Sequence, residues 1–316
     1  MQLQRIKSKR FNWKSAGNRM KRYWVLYLML LLPLAYLIIF KYMPMQYLAM
    51  AFKKNNIIQP LWEVPWANNG GFQWFLEAFK NPSFWNAVRN TLMLNFLDLV
   101  MGFPAPVILA ILLNELRSRR FKRVTQTIAY MPHFLSWVII YGLAARLFAP
   151  QDGLINILIR KMGGEAIPFL NENTHWVFTY VFVGIWQTVG WSTIIYLAAI
   201  TNINPELYEA ARVDGAKRRH EIWHITLPCL KPTIVVLLIL ALGGMLGSNF
   251  DRPYIFGNYS VNDVSEVLST YVYTQGIRAY QYSYTTAVGL FQSVVNVIFL
   301  VAANIGARKI GERGLW

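Results

Sequence analysis

Asn204-Pro-Glu-Leu-Tyr-Glu-Ala-Ala-Arg-Val-Asp-Gly215, followed after nine residues by Ile225-Thr-Leu-Pro228, is a polar stretch between two strongly apolar runs. Asn204 is a good N-cap, Pro205 suits the first helical position, and Gly215 can end a helix in the left-handed conformation. The spacing predicts a helix of about ten residues and about 15 Å. That is too short and too polar to cross a bilayer, so it lies on the membrane surface.

The flanking sequence has a membrane protein's composition. Of 316 residues, 55% are hydrophobic and 15% aromatic, with a mean hydropathy of +0.31. Six apolar runs are long enough to span, near 24–42, 91–113, 126–148, 176–200, 229–248 and 284–306. No soluble domain remains once these are removed. The expected fold is all-α and polytopic: a basic segment 1–23, a six-helix transmembrane body 24–306 with the surface loop 204–228, and a tail 307–316.

A formal charge of +16 raises the question of nucleic acid, but the placement of the charge answers it. Basic clusters in 1–23, in 115–124 (Arg117, Arg119, Arg120, Lys122, Arg123), in the island (Arg212, Lys217, Arg218, Arg219), at Lys231 and at Arg308, Lys309 and Arg313 hold 21 of the 31 Lys and Arg. In a six-span arrangement all of them fall on one side, which the positive-inside rule makes cytoplasmic, together with both termini. The clusters border apolar spans, so the bilayer is the expected partner and nucleic acid is not. The loops near 43–90, 149–175 and 249–283 are nearly balanced in charge and are expected outside.

The first apolar run is of spanning length, and Ala49-Met50-Ala51 lies well past it, beyond Pro44, so it reads as a retained helix rather than a cleaved signal. Cys229 is the single cysteine and has no internal disulfide partner.

Within the spans, Gly102-Phe-Pro-Ala-Pro106 removes two backbone donors and predicts a kink that either borders a pathway or packs on a neighbour. Asp98, about a turn earlier, must be protonated, paired or wetted, because a lone carboxylate there costs several kcal/mol. Gly243-Gly-Met-Leu-Gly247 offers small residues for close helix approach. There is no Walker A lysine loop, so ATP hydrolysis is not expected from this chain.

His220-Glu221-Ile222-Trp223-His224 matches His-Glu-x-x-His, which on a helix can present two imidazoles to zinc, and an intramembrane metalloprotease is the enzyme alternative. Against it, no Asp or Glu follows until Asp251, and Pro228 is expected to end the helix about a turn later. The expected metal content is none.

Glu209-Ala210-Ala211, three residues, Gly215, nine residues, Ile225, one residue and Leu227-Pro228 resemble at every fixed position the EAA loop of binding-protein-dependent ABC importers. In that family the loop belongs to the permease and docks in a cleft of a cytoplasmic ATPase. The resemblance implies a type I importer fold, with Leu207, Glu209, Ala210, Ala211, Asp214 and Gly215 as coupling residues. It also implies a second related permease, two ATPases that bind the ATP and Mg, an external solute-binding protein and residence in the bacterial cell membrane. No cofactor is expected on this chain itself.

Gly102-Phe-Pro-Ala-Pro106, Leu113-Asn-Glu115, Tyr130-Met-Pro-His-Phe134, Tyr196-Leu-Ala-Ala199, Ala287-Val-Gly-Leu-Phe291 and Gly314-Leu-Trp316 are similar to permeases for plant polysaccharide fragments such as aldouronates and pectin pieces. The solute implied is an oligosaccharide, with acidic ones expected; a simple sugar or glycerol phosphate is the alternative. Aromatic faces stack on sugar rings and amides or charges meet hydroxyls. Trp186, Gln187 and Trp191 in the fourth span, and Asn249, Phe250, Asp251, Arg252 and Tyr254 past the fifth, are the candidate pathway residues. Trp and Tyr also serve as interfacial anchors. Arg252 or Arg278 is a candidate for a uronate carboxylate.

Overall fold

The computed structural model describes residues 22–56, 58–247, 249–311 and 314–315. Of the expected basic segment 1–23, only Arg22 and Tyr23 lie within the described residues; Arg313 and Trp316 lie outside them. Among those described, regular structure is helical apart from one antiparallel bridge, Lys53 to Trp66.

Five helices are long and apolar enough to cross a bilayer: α1 (Trp24–Phe52), α3 (Pro82–Glu115), α7 (Asn173–Thr201), α9 (Arg218–Gly243) and α12 (Tyr282–Lys309). Between the first two, α2 (Gln73–Lys80) is a short amphipathic helix, as is α6 (Leu154–Lys161) ahead of α7. The sixth crossing is a bent pair, α4 (Arg119–Tyr130) and α5 (Trp137–Phe148), meeting at 104°.

The span expected over 126–148 is therefore bent rather than one continuous helix. Pro132 tightens Met131–Phe134 into a 3₁₀ turn, and the Ser136 hydroxyl accepts from the Ile139 amide to start a new helix. Gly190 of α7 makes room for the crossing, since a Cβ there would overlap the Ala129 carbonyl of α4.

The centre of the bundle is α7. It runs 29 residues without a break and buries Trp176, Tyr180, Gln187, Thr193 and Tyr196 among others. Its first half packs on α5 and on Phe256, whose carbonyl accepts from Trp176 Nε1 at 2.9 Å. Its second half packs on the far halves of α3 and α9 through Leu113, Tyr196, Ile200 and Leu230. Lipid supplies no hydrophobic drive between spans, so these contacts hold by van der Waals fit and buried polar bonds.

Three spans carry a widened turn of π type, at Ile38–Tyr42 in α1, Asp98–Gly102 in α3 and Ile222–Thr226 in α9, and a fourth such turn, Thr274–Arg278, extends the short helix Leu268–Tyr273 ahead of α12. In α3 that turn, rather than a break, precedes Pro104 and Pro106. In α9 it precedes Pro228, and the helix runs on to Gly243. The expectation that Pro228 ends the helix is thus corrected: a proline placed at the start of a fresh helical segment needs no amide of its own.

The fifth span also stops earlier than expected. The helix closes at Gly243, with Gly247 in the turn beyond it, so the two glycines do not form one helical face. Gly243 packs against Leu300 of α12, within the chain.

The segment 249–283, expected as an outer loop, folds back into the bundle as α10 (Asp251–Phe256), single turns near 259–265, and α11 (Leu268–Tyr273). Arg252, Phe256, Val261, Leu268 and Tyr271 are buried. The Asn90 side chain of α3 donates to the carbonyls of Asp263 and Glu266, satisfying backbone that would otherwise be orphaned there.

Candidate coupling surface and pathway residues

At one end of the bundle, α8 (Pro205–Val213) stands exposed on the surface. The Asn204 side chain accepts from the Glu206 amide at 3.1 Å, and Gly215 closes the helix at φ +79°. Leu207, Glu209, Ala210 and Asp214 are exposed and Ala211 half-buried. The spacing predicted this helix and its two ends.

Its rear face is tied down by polar contacts. The Tyr208 hydroxyl meets Thr226 Oγ1 at 3.0 Å, and Arg212 Nε donates to Glu221 Oε1 at 2.8 Å. The bond to Glu221, and then Glu221's charge, push the Arg212 guanidinium further up from its ordinary value. Next to it, Arg218 at the start of α9 pairs with Glu115 at the end of α3, 3.2 Å apart. The surface helix is thereby linked to the roots of α9 and α3.

The same geometry bears on His-Glu-x-x-His. Glu221 is buried and committed to Arg212, while the Nδ1 of His224 lies 3.1 Å from the His220 carbonyl and so donates to it. No group of three or more metal-ligating side chains occurs among the described residues.

Deeper in the bundle, Asp98 has a partner. Arg252 of α10 grips it with two nitrogens, at 2.7 and 3.3 Å, and its Nη2 also donates to the Tyr180 carbonyl. The guanidinium carbon lies 3.7 Å from the centre of the Tyr180 ring and 5.5 Å from that of Trp137, a cation held between π faces. Gly184 makes the space: a Cβ there would overlap the guanidinium. Arg252 is thus a fixed internal counter-ion.

The two predicted pathway groups gather around separate centres. On α7, Gln187 Nε2 donates to the His133 carbonyl at 3.4 Å, and Trp191 stacks on the His133 ring at 4.6 Å, so both meet the bend between α4 and α5. Trp186 is half-exposed on another side of the helix. Beyond α9, Asn249 accepts from the Asp251 amide, and Phe250 stacks on Tyr254 at 4.8 Å. Tyr273 completes that cluster at 5.0 and 5.4 Å from the two rings, and the Arg278 Nη2 donates to the Tyr254 hydroxyl at 2.9 Å. Sequence reasoning missed His133, Tyr273 and the pairing of Asp98 with Arg252. For the last there was a signal, two opposite charges each in apolar surroundings.

Residues 83–312 match the family described as the binding-protein-dependent transport system inner membrane component. The chain belongs to this family. It is 44% identical over 308 residues to Protein LplB of Bacillus subtilis (strain 168), covering 98% of this chain and 95% of that one. It is 45% identical over 291 residues to the polygalacturonan/rhamnogalacturonan transport system permease protein YteP of the same organism, covering 92% and 90%. Among solved structures, a chain of a bacterial alginate ABC transporter, in complex with alginate pentasaccharide-bound periplasmic protein, superposes with a TM-score of 0.85. Identity is 38% over 94% of this chain and 99% of that one. As a member of this family the protein is a multi-pass transport subunit of an ABC importer.

Proposed function

We propose that this permease carries acidic oligosaccharides, fragments of uronate-rich polysaccharides, across the bacterial cell membrane. The observation that carries the proposal is full-length similarity to YteP, named for polygalacturonan and rhamnogalacturonan, together with the likeness to the alginate transporter. ATP and Mg are bound by two separate ATPase subunits, one of which docks on α8, placing that end and both termini in the cytoplasm. A second, related permease completes the membrane unit, and an external solute-binding protein delivers the sugar to the opposite end. ATPase closure pushes α8 as a rigid body; its ties to α9, and from α9 to α3 through Arg218 and Glu115, then move the spans so that access alternates between the two sides.

The test is co-purification with the partner subunits and measurement of ATPase activity in proteoliposomes. Oligogalacturonate delivered by the binding protein is expected to stimulate turnover severalfold over neutral oligosaccharides of equal length. Stimulation by a simple sugar or glycerol phosphate alone would replace this assignment with that solute.

A further inference from the structure

Of the two arginines in the segment 249–283, Arg252 is neutralised by Asp98, whereas Arg278 is not matched in that way. Arg278 is held by tyrosines: it donates to the Tyr254 hydroxyl at 2.9 Å, and its guanidinium carbon lies 5.4 Å from the centre of the Tyr273 ring. Among the described residues no carboxylate is paired with it, and the groups acting on it are those two phenols. Two aromatic contacts fix the plane of the guanidinium while leaving donors of its fork unclaimed.

That fork opens on a cavity of 380 Å³, which Arg278 and Tyr254 line together with Asn258, Tyr259, Asn262 and Glu266. The volume falls in the usual range for small-ligand sites, roughly 300–1,000 Å³. The cavity lies at the end of the bundle opposite α8, between α10, the turns that follow it and α11 with its widened turn. Its lining suits one chemistry: a planar cation for a carboxylate, an exposed tyrosine face for a CH-rich ring, and amide and carboxylate oxygens for hydroxyls.

We propose that Arg278, Tyr254 and this cavity form a receiving subsite for a uronate residue at the outer mouth, reached before the bundle interior. The inference rests on the acidic-oligosaccharide assignment and deepens it. On α10, Arg252 faces inward to Asp98 while Tyr254, two residues on, faces the cavity, so one short helix joins the mouth to the interior.

The experiment uses the complete transporter with its binding protein in proteoliposomes, and compares uptake of trigalacturonate with that of its fully methyl-esterified counterpart, which has the same length without charge. Arg278→Gln is expected to raise KM for the acid about tenfold relative to the ester, the loss of one charge-assisted bond. Arg278→Lys keeps the charge but not the fork, and is expected to shift the same ratio by about threefold; it also serves if the glutamine variant does not assemble. An unchanged ratio in these variants, with wild-type uptake of the acid intact, overturns the subsite and leaves the acidic assignment standing. Failure of the wild type to take up the acid overturns both.

Discussion

At the scale of single residues, the pair of Asp98 and Arg252 is the contact with most at stake. Removing one partner of a buried, hydrogen-bonded pair leaves an uncompensated charge and typically costs about 3–5 kcal/mol. Asp98→Asn is therefore expected to lower the melting temperature of the detergent-solubilised complex, and Asp98→Asn combined with Arg252→Met to recover much of it; a double variant no better than the single one would contradict the pairing. Gly215 is the second such residue. At φ +79° its Cβ position is open, so backbone conformation rather than space selects glycine. Gly215→Asn, which tolerates that conformation, is expected to retain more transport than Gly215→Val, measured at equal membrane levels. What the sequence disclosed differs between the two. Gly215 was legible because a helix terminus is local. Asp98 was legible only as a charge needing a partner, since that partner lies 154 positions away.

At the scale of elements, α8 acts as a lever only if it is fixed to what it moves. Arg212 is largely exposed, so its bond to Glu221 adds little to stability; its expected effect is on coupling. Glu221→Arg is expected to reduce sugar-stimulated ATPase activity severalfold without loss of assembly, and the swap Arg212→Glu with Glu221→Arg to restore part of it. Glu209→Lys, on the exposed face, is expected to abolish coupled uptake with membrane insertion intact, and normal uptake would remove Glu209 from the contact. Hydropathy located the spans because it sums apolar residues, but a sum carries no direction. It could not show that Pro132 and Ser136 turn the third span through 104°, nor that 249–283 re-enters the bundle under the grip of Asn90.

At the scale of the whole molecule, the most apolar window of α1 is not buried at all within the chain, and only 11% of that of α12 is. Surfaces of this kind face lipid or another membrane protein. Co-expression with the partner permease is expected to raise the recoverable amount of this chain severalfold, and an equal yield without it would argue that lipid alone covers these helices. Sidedness has its own test. In a Cys229→Ser background, a cysteine at Ala210 is expected to react with a membrane-impermeant maleimide in inside-out vesicles and not in intact cells. The number of crossings was legible from composition; which faces meet a second chain was not, because apolar residues look alike whether they meet lipid or protein.

The widened turns of α1, α3 and α9 give these rods a property that straight ones lack. Each holds one surplus residue, and exchanging a single backbone bond hands that residue to the adjoining turn. Every such step turns the residues between the old and the new position of the bulge by about a quarter to a third of a revolution, while the portions beyond them keep their relative phase. Such helices can change which side chains face a neighbour over a short stretch without melting.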